Sequence, residues 1–317
     1  MNAIARIATV SLNPAIDQTV TIPNFTAGAV NRVEREQSDA GGKGVNVASF
    51  LAHFGLPVAV TGFLGDANAQ PFARLFADKG IVDRFVRLPG STRVNVKIVD
   101  PVQDRVTDIN FPGLTPGAAD VEQLMAAVDS LCADTQWFVL SGSVPAGVPG
   151  DTYADLVRWL KARGKTVLLD ASGPPFAAAI PCVPDIIKPN IDELRELIGR
   201  PLGTEKEIVD AAREITARGV GLVAISMGPD GALFVEADAA VLAMPPKIAV
   251  RSTVGAGDAM VAGIVTATQR GLDLAGRARL ATAFSVAALG EIGPHLPPRA
   301  VVEAHTEQVR VRTIDLG

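Results

Sequence analysis

The sequence predicts a doubly wound α/β fold, in which a mostly parallel sheet carries helices on both faces and a small β-sheet stands off to one side. Three observations carry that expectation. From Asp120 to Ser226, short apolar strands alternate with helical segments, the rhythm of parallel strands joined by crossover helices. The strands end in small or polar residues, Ser141-Gly142-Ser143, Asp170, Lys188-Pro189-Asn190 and Ser226-Met227-Gly228, which line one edge of such a sheet, the edge where open α/β sheets bind ligands. Before Asp120 the rhythm breaks twice, where strands follow one another with no helix between them. The 317 residues suffice for one large α/β domain with an accessory piece or for two ordinary domains, and 48% hydrophobic with 20% charged residues predicts a substantial core.

Taken in order, Ile4 to Val10 is an apolar run of strand length, leading into the polar turn Ser11-Leu12-Asn13-Pro14-Ala15-Ile16-Asp17 at the strand's expected C-terminal end. Asp17 alone reads as a cap of that turn. Thr19 to Ile22 and Val33 to Gln37 are short, half-polar strands. Ala40-Gly41-Gly42-Lys43-Gly44-Val45-Asn46 then opens an apolar-periodic helix that ends near Phe54-Gly55. The plain reading is a loop with a solvated lysine. Three glycines beside a lysine and an asparagine favour a concave anion site, because such glycine density costs entropy unless backbone must approach something closely. Val58 to Leu64 is the next strand and Asn68 to Lys79 the next helix. Arg93 to Val99 alternates, with Val94, Val96 and Ile98 on one face and Arg93, Asn95 and Lys97 on the other. That polar face suits either open solvent or an anionic substrate. Val106 to Phe111 is its hairpin partner, closed by Pro112-Gly113.

In the second half we expect a helix from Asp120 to Cys132, a strand Trp137 to Leu140, a helix Thr152 to Arg163 and a strand Thr166 to Asp170. Ile186-Ile187, helices from Ile191 to Ile198 and from Glu205 to Arg218, and a strand Gly221 to Ser226 follow. Two short strands, Ala232 to Val235 and Ala240 to Ala243, precede Thr253-Val254-Gly255-Ala256-Gly257-Asp258. Two glycines ahead of helix formers describe a tight turn that becomes the first turn of a helix running to about Arg270. Its unpartnered N–H groups and positive dipole end make an anion site. Asp258 in that first turn reads as a cap or dipole partner when taken alone. Behind a phosphate cradle, however, a carboxylate repels the ligand unless it takes a proton from the attacking group, which turns the reading toward a catalytic base. Leu274 to Leu289 is expected as the final helix.

Several function classes are excluded. A net charge of −5 lacks the basic surplus of a nucleic-acid-binding domain. No stretch of about 18 apolar residues predicts a membrane span. The N-terminus has no signal-peptide pattern, so a cytoplasmic protein is expected, with Cys132 and Cys182 as reduced thiols. His53, His295 and His305 lack ligand spacing, and no zinc site is expected. The turn at Gly255 to Gly257 lacks the third glycine of a dinucleotide fingerprint, and the spacing GxxxxGK[ST] of a P-loop occurs nowhere.

GGKGVNVA at Gly41 to Ala48 and STVGAGDAMVAG at Ser252 to Gly263 resemble the two signatures of the ribokinase/PfkB carbohydrate kinases. SLNPAID (Ser11 to Asp17), SGSVPAGVP (Ser141 to Pro149), KPNIDEL (Lys188 to Leu194) and SMGPDGAL (Ser226 to Leu233) fall between them in the family's order, so the resemblance covers essentially the whole chain. Ala146 and Ala259 depart from the residues that relatives often carry. Within the family, TRVNVK (Thr92 to Lys97) and VTDINFPG (Val106 to Gly113) look most like the members acting on fructose 1-phosphate; kinases of tagatose 6-phosphate and fructose 6-phosphate are near relatives.

The resemblance implies ATP-dependent, Mg²⁺-assisted phosphorylation of the sugar phosphate's 6-hydroxyl, giving fructose 1,6-bisphosphate and ADP. It implies one domain over residues 1–317, with a β lid inserted at about 12–37 and 91–112 whose exposed face folds over substrate or packs on a second copy. Asp258 matches the family's catalytic base, and Gly255, Ala256 and Gly257 its anion hole. Asp17, Gly42, Lys43, Asn46, Arg93 and Ser141 match sugar-phosphate contacts, joined by Lys97 on the strand face of Arg93. Lys188, Asn190, Ser226, Gly228 and Gly231 match the ATP side, and Asn190 with Glu193 the N-x-x-E pair that organises Mg²⁺ through water. A sugar-phosphate-binding regulator without catalysis is the rival from another class. It would lack the base or the cradle, and both are present.

Overall fold

A computed structural model describes residues 7–316. The first half comprises β1 (Ile7–Ser11), β2 (Ala15–Thr21), β3 (Arg35–Gly41), α1 (Lys43–His53), β4 (Val58–Gly65), α2 (Gln70–Lys79), the short β5 (Val82–Asp83) and β6 (Val86–Leu88), β7 (Val94–Asp100), β8 (Arg105–Ile109) and α3 (Ala118–Cys132). There follow β9 (Trp137–Ser141), α4 (Thr152–Lys161), β10 (Thr166–Asp170), α5 (Gly173–Ala179), β11 (Ile186–Ile187), α6 (Ile191–Ile198), α7 (Glu205–Thr216) and β12 (Leu222–Ser226). The chain closes with β13 (Ala232–Val235), β14 (Ala240–Met244), α8 (Ala256–Gln269), α9 (Leu274–Leu289), α10 (Arg299–Gln308) and β15 (Arg310–Ile314).

The large sheet runs in the order β15-β14-β13-β12-β11-β10-β9-β1-β4-β5, with β6 also paired to β4. Strands from β12 through β4 are parallel, and β13, β14 and β15 extend the sheet antiparallel. Helices cover both faces, so the central strands are buried on both sides and read as continuous apolar runs. Side chains still alternate between layers. Val58 and Val60 join the core under α1, α8 and α9, with Phe50, Val261 and Phe284, whereas Ala59 and Phe63 join the opposite core of Leu124, Tyr153 and Leu156. Helices α8 and α9 approach closely because Gly263 faces Ala281: a Cβ at Gly263 would lie 2.6 Å from the Ala281 Cα.

A separate four-stranded sheet has the order β3-β2-β7-β8. β2 pairs antiparallel with β3 and parallel with β7, which sets Asp17 between Asp39 and Asn95. Its own apolar cluster is only Val20, Ile22 and Ile98, backed by Phe25 and Val96. Val106, Ile109 and Phe111 are exposed.

The expected strand from Ile4 begins outside the described residues; its described part is β1. The turn after β1 is shorter than expected, because β2 starts at Ala15, and β3 runs later than the Val33 to Gln37 segment. Leu274 to Leu289 is not the final helix, since α10 and β15 follow it. These two escape a periodicity search because α10 has only one buried residue, Val302, and β15 is an arginine-studded edge strand. Helix α5 begins Gly173-Pro174-Pro175, which resembles a loop, yet proline fits a helix's first turn. Among the described residues no helix is long and apolar enough to cross a membrane.

Candidate active site

The parallel strands end together at Ser11, Ser141, Asp170, Ile187 and Ser226, and the first turns of α1 and α8 lie at that edge, Gly44 against Ser11 and Gly257 near Lys188. Each begins at a glycine in a conformation other residues avoid. Gly42, the N-cap of α1, has φ 99°, and a Cβ there would lie 2.7 Å from the Pro14 Cα. Gly255, the N-cap of α8, has φ 77° and packs against Pro294 and Phe50. Among the described residues, the N–H groups of Gly257 and Asp258 find no backbone acceptor, as expected for the first turn of a helix.

Asp258 is not a cap. It is 6% exposed, its side chain makes no capping bond, and its Oδ2 accepts a 2.8 Å hydrogen bond from Asn46 Nδ2. Burial pushes its carboxyl up to about 6, with Asp170 adding to the rise and Lys43, Asn46 and Lys188 opposing it. A carboxylate in that range is ionised at neutral pH and basic enough to take a hydroxyl proton in passing. Asn46 Oδ1, also buried, has no protein partner.

Beside Asp258 lies a cluster that joins three motifs. Lys43 Nζ and Lys188 Nζ reach the same oxygen of Asp170, Oδ1, at 3.3 and 3.2 Å, and Ser141 Oγ donates to Oδ2 at 3.3 Å. Asp170 is fully buried. Burial alone would raise its carboxyl, but Lys188 and Lys43 together hold it below the usual carboxylate range. Lys43 in turn is raised, first by Asp170. A Cβ at Gly257 would stand 3.7 Å from Lys188 Nζ, so this ammonium sits at the start of α8.

Two cavities flank these groups. One, of about 250 Å³, is lined by Asp17, Asn95, Lys97, Asp108 and Asn110 of the small sheet and its exit, and by Thr253 and Val254. The other, of about 630 Å³ and mostly apolar, is lined by Ser226, Gly228, Gly231, Met260 and Val286 among others, and again by Thr253. Thr253 is therefore common to both. Asp17 in the smaller cavity is raised by burial, with the hydrogen bond from Asn95 opposing.

The remaining expected residues are more engaged with the protein itself. Arg93 spends its guanidinium on main-chain carbonyls, of Asn13 at 3.0 Å, Pro14 at 3.3 Å and Phe111 at 3.4 Å. Lys97 pairs with Asp108 across β7 and β8. Asn190 and Glu193 form a capping box: Asn190 N donates to Glu193 Oε2 and Glu193 N to Asn190 Oδ1, both at 2.8 Å. The described residues hold no cluster of three or more His, Cys, Asp or Glu able to cage a metal. Asn190 is exposed and Glu193 half-buried, two oxygen donors at the start of α6 that suit a hard cation only through water or phosphate. Sequence reasoning noted Asp170 only as a polar strand end, placed Asn95 on a polar face suited to solvent or an anionic substrate, and gave Thr253 no role of its own. The signal for Asp170 was a lone carboxylate closing an otherwise apolar strand.

The profile of the pfkB family carbohydrate kinases matches residues 10–300. The 1-phosphofructokinase of Rhodobacter capsulatus is 57% identical over 310 residues, 98% of this chain and 98% of that protein. The crystal structure of phosphofructokinase-2 from Escherichia coli in complex with substrates and products superposes with a TM-score of 0.90 at 27% identity, covering 96% of this chain and 99% of that one. A tetrameric inhibited form of the same enzyme superposes with a TM-score of 0.87 at 26% identity, with the same coverage.

Proposed function

Because the chain belongs to the pfkB family of carbohydrate kinases, we propose that it transfers the γ-phosphoryl group of ATP to the 6-hydroxyl of fructose 1-phosphate, giving fructose 1,6-bisphosphate and ADP. The observation that carries this reading is the pair of cavities that share Thr253, the larger of them also lined by Ala256 and Gly257 in the first turn of α8, the turn that carries Asp258. The smaller, polar one takes the sugar phosphate and the larger, apolar one the nucleotide, so the acceptor hydroxyl and the γ-phosphate face each other across the N-terminus of α8.

Asp258 accepts the hydroxyl proton as the oxygen attacks phosphorus in line, and the N–H groups of Ala256, Gly257 and Asp258 receive the charge that develops on the phosphoryl oxygens. Asp17, Gly42, Asn46 and Ser141 orient the sugar, with Asn46 Oδ1 as the acceptor for one hydroxyl. Arg93 and Lys97 hold the sugar's phosphate. Lys188, Asn190, Ser226, Gly228 and Gly231 hold the nucleotide, and Lys43 bridges the two sides. Asn190 and Glu193 would hold the waters of a bound Mg²⁺, which would supply neutralisation of the phosphate charge. Such positioning supplies most of the rate in phosphoryl transfer, since little covalent help is needed.

The small sheet, at about 12–37 and 91–112, is the lid of a single kinase domain. It excludes water from the transferring group when both substrates are present. Exposed Val106, Ile109 and Phe111 suit packing against a second copy of the chain. A charge at Ile109 then shifts the protein to monomer in size-exclusion chromatography, and an unchanged elution volume contradicts that use of the sheet.

The activity is tested by a coupled assay for ADP release run in parallel with fructose 1-phosphate, fructose 6-phosphate and tagatose 6-phosphate. The expected result is the highest kcat/KM for fructose 1-phosphate. A preference for either 6-phosphate reassigns the substrate, and no ADP release with any of them overturns the reading.

A further inference from the structure

Lys43 and Lys188 come from different motifs, one at the start of α1 and the other after β11, 145 positions apart in the chain by their numbers (188 − 43). Both nonetheless end on one oxygen of Asp170. Asp170 is itself fixed from two sides: Ser141 Oγ donates to its other carboxylate oxygen, and its main-chain carbonyl accepts the Gly142 N–H at 3.0 Å. Lys188 is 4% exposed, and its ion pair with Asp170 is what compensates a cation so deeply buried. Two ammonium groups outweigh one carboxylate, so the cluster carries about +1 and offsets the neighbouring Asp258 carboxylate, which would otherwise repel a phosphoryl group.

We propose that Asp170 is a positioning residue for phosphoryl transfer, holding the ammonium groups of Lys43 and Lys188 together so that both converge on the phosphoryl group as it passes between the two cavities. The inference rests on the functional reading above, in which these lysines face phosphate. Asp170 touches neither substrate. Its carboxylate acts by fixing where two cations stand, which matters because displacing a group by about 1 Å in such a site costs on the order of 10²-fold in rate.

The test compares Asp170→Asn, Asp170→Glu, Lys43→Met, Lys188→Met and the two double variants that pair Asp170→Asn with each lysine change. Steady-state kinetics are measured with fructose 1-phosphate and Mg-ATP, and folding by thermal melts. Asp170→Asn should lose about 10²-fold in kcat with both KM values within about threefold of the parent, because the lysines remain but no longer converge. Asp170→Glu, which keeps the charge and moves it, should lose at least about tenfold. Each double variant should lose less than the product of its single losses, the sign of groups acting as one unit. Turnover within threefold of the parent for either Asp170 variant overturns the proposal, as does simple multiplication in the double variants. A defect in Asp170→Asn that saturating Mg²⁺ fully repairs also overturns it, since the carboxylate would then serve the metal. Should Asp170→Asn fail to fold, Asp170→Glu decides by its kcat. If instead Lys43→Met and Lys188→Met both turn over like the parent, the phosphate-facing reading of the lysines fails; if they are crippled while the Asp170 variants are not, only this inference does.

Discussion

Asn46 and Asp258, 212 positions apart, meet in a single buried hydrogen bond of 2.8 Å that ties the first turns of α1 and α8. The amide donates through Nδ2 and leaves its Oδ1 buried without a protein partner among the described residues. Each glycine motif thus supplies one half of a unit that neither forms alone.

Removing that donor should change how Asp258 titrates. The hydrogen bond opposes the rise that burial imposes, so Asn46→Ala pushes the carboxyl above about 6. The acid limb of the pH–rate profile should move to higher pH, with kcat reduced about tenfold or more at pH 7. An acid limb that stays in place would show that Asn46 does not set the charge on Asp258.

Arg93 makes a second prediction, altered by what the structure adds to the sequence reading. Its guanidinium bonds main-chain carbonyls at both crossings into the small sheet, near Asn13 and Phe111. Arg93→Ala should therefore raise KM for fructose 1-phosphate strongly, leave KM for ATP nearly unchanged, and also make segments 19–37 and 94–111 more open to limited proteolysis. Arg93→Lys should recover little of either effect, because an ammonium cannot span carbonyls as a planar fork does. Equal increases in the two KM values would contradict a role confined to the sugar side.

A third prediction concerns packing. Gly263 lets α8 lie against α9, and a methyl group there would meet the Ala281 Cα and the Phe284 ring. Gly263→Ala should cost about 1 to 3 kcal/mol despite the better helix propensity of alanine, read as a lowered Tm. A raised Tm would mean that the helices separate without penalty.

How much of this was legible beforehand differs by element. The parallel core could be read because strands such as Thr166 to Asp170 have an unbroken apolar centre, Val167 to Leu169, and end in chemistry-bearing residues. The helix starts at Gly42 and Gly255 could be read because only glycine tolerates those turns. Pairing could not: nothing local says that Asn46 reaches Asp258, or that Lys43 and Lys188 share Asp170, since these contacts are fixed by strand order. The polar face of β7 shows the same limit. Alternation gave the face of Arg93, Asn95 and Lys97 correctly as polar, but their present partners are Asn13, Asp17 and Asp108, set by neighbours in the small sheet. Helix α10 and strand β15 were illegible for a different reason, as each buries too little to leave a pattern.

A fourth prediction follows from the sign of the Asp258 shift. Its folded-state value of about 6 lies above the ordinary 3.8, so the folded protein resists ionising it. The associated stability is fully present below 3.8 and is lost as pH rises through about 6. Asp258→Asn, which cannot ionise, should melt near the parent at pH 4 and above it at pH 8, by up to about 3 kcal/mol. A difference that does not change with pH would place the carboxylate in an environment unlike the one described.

The central claim is that the carboxylate at the start of α8 is the base of the reaction, and kcat of Asp258→Asn tests it most directly. Asparagine keeps the size of aspartate and can still accept from Asn46, so folding and binding of both substrates should survive. Loss of a positioned base costs on the order of 10²- to 10⁴-fold, so kcat should fall at least that far with KM values close to the parent. Turnover within a few-fold of the parent would contradict the account and leave Asp258 as no more than a buried partner of Asn46.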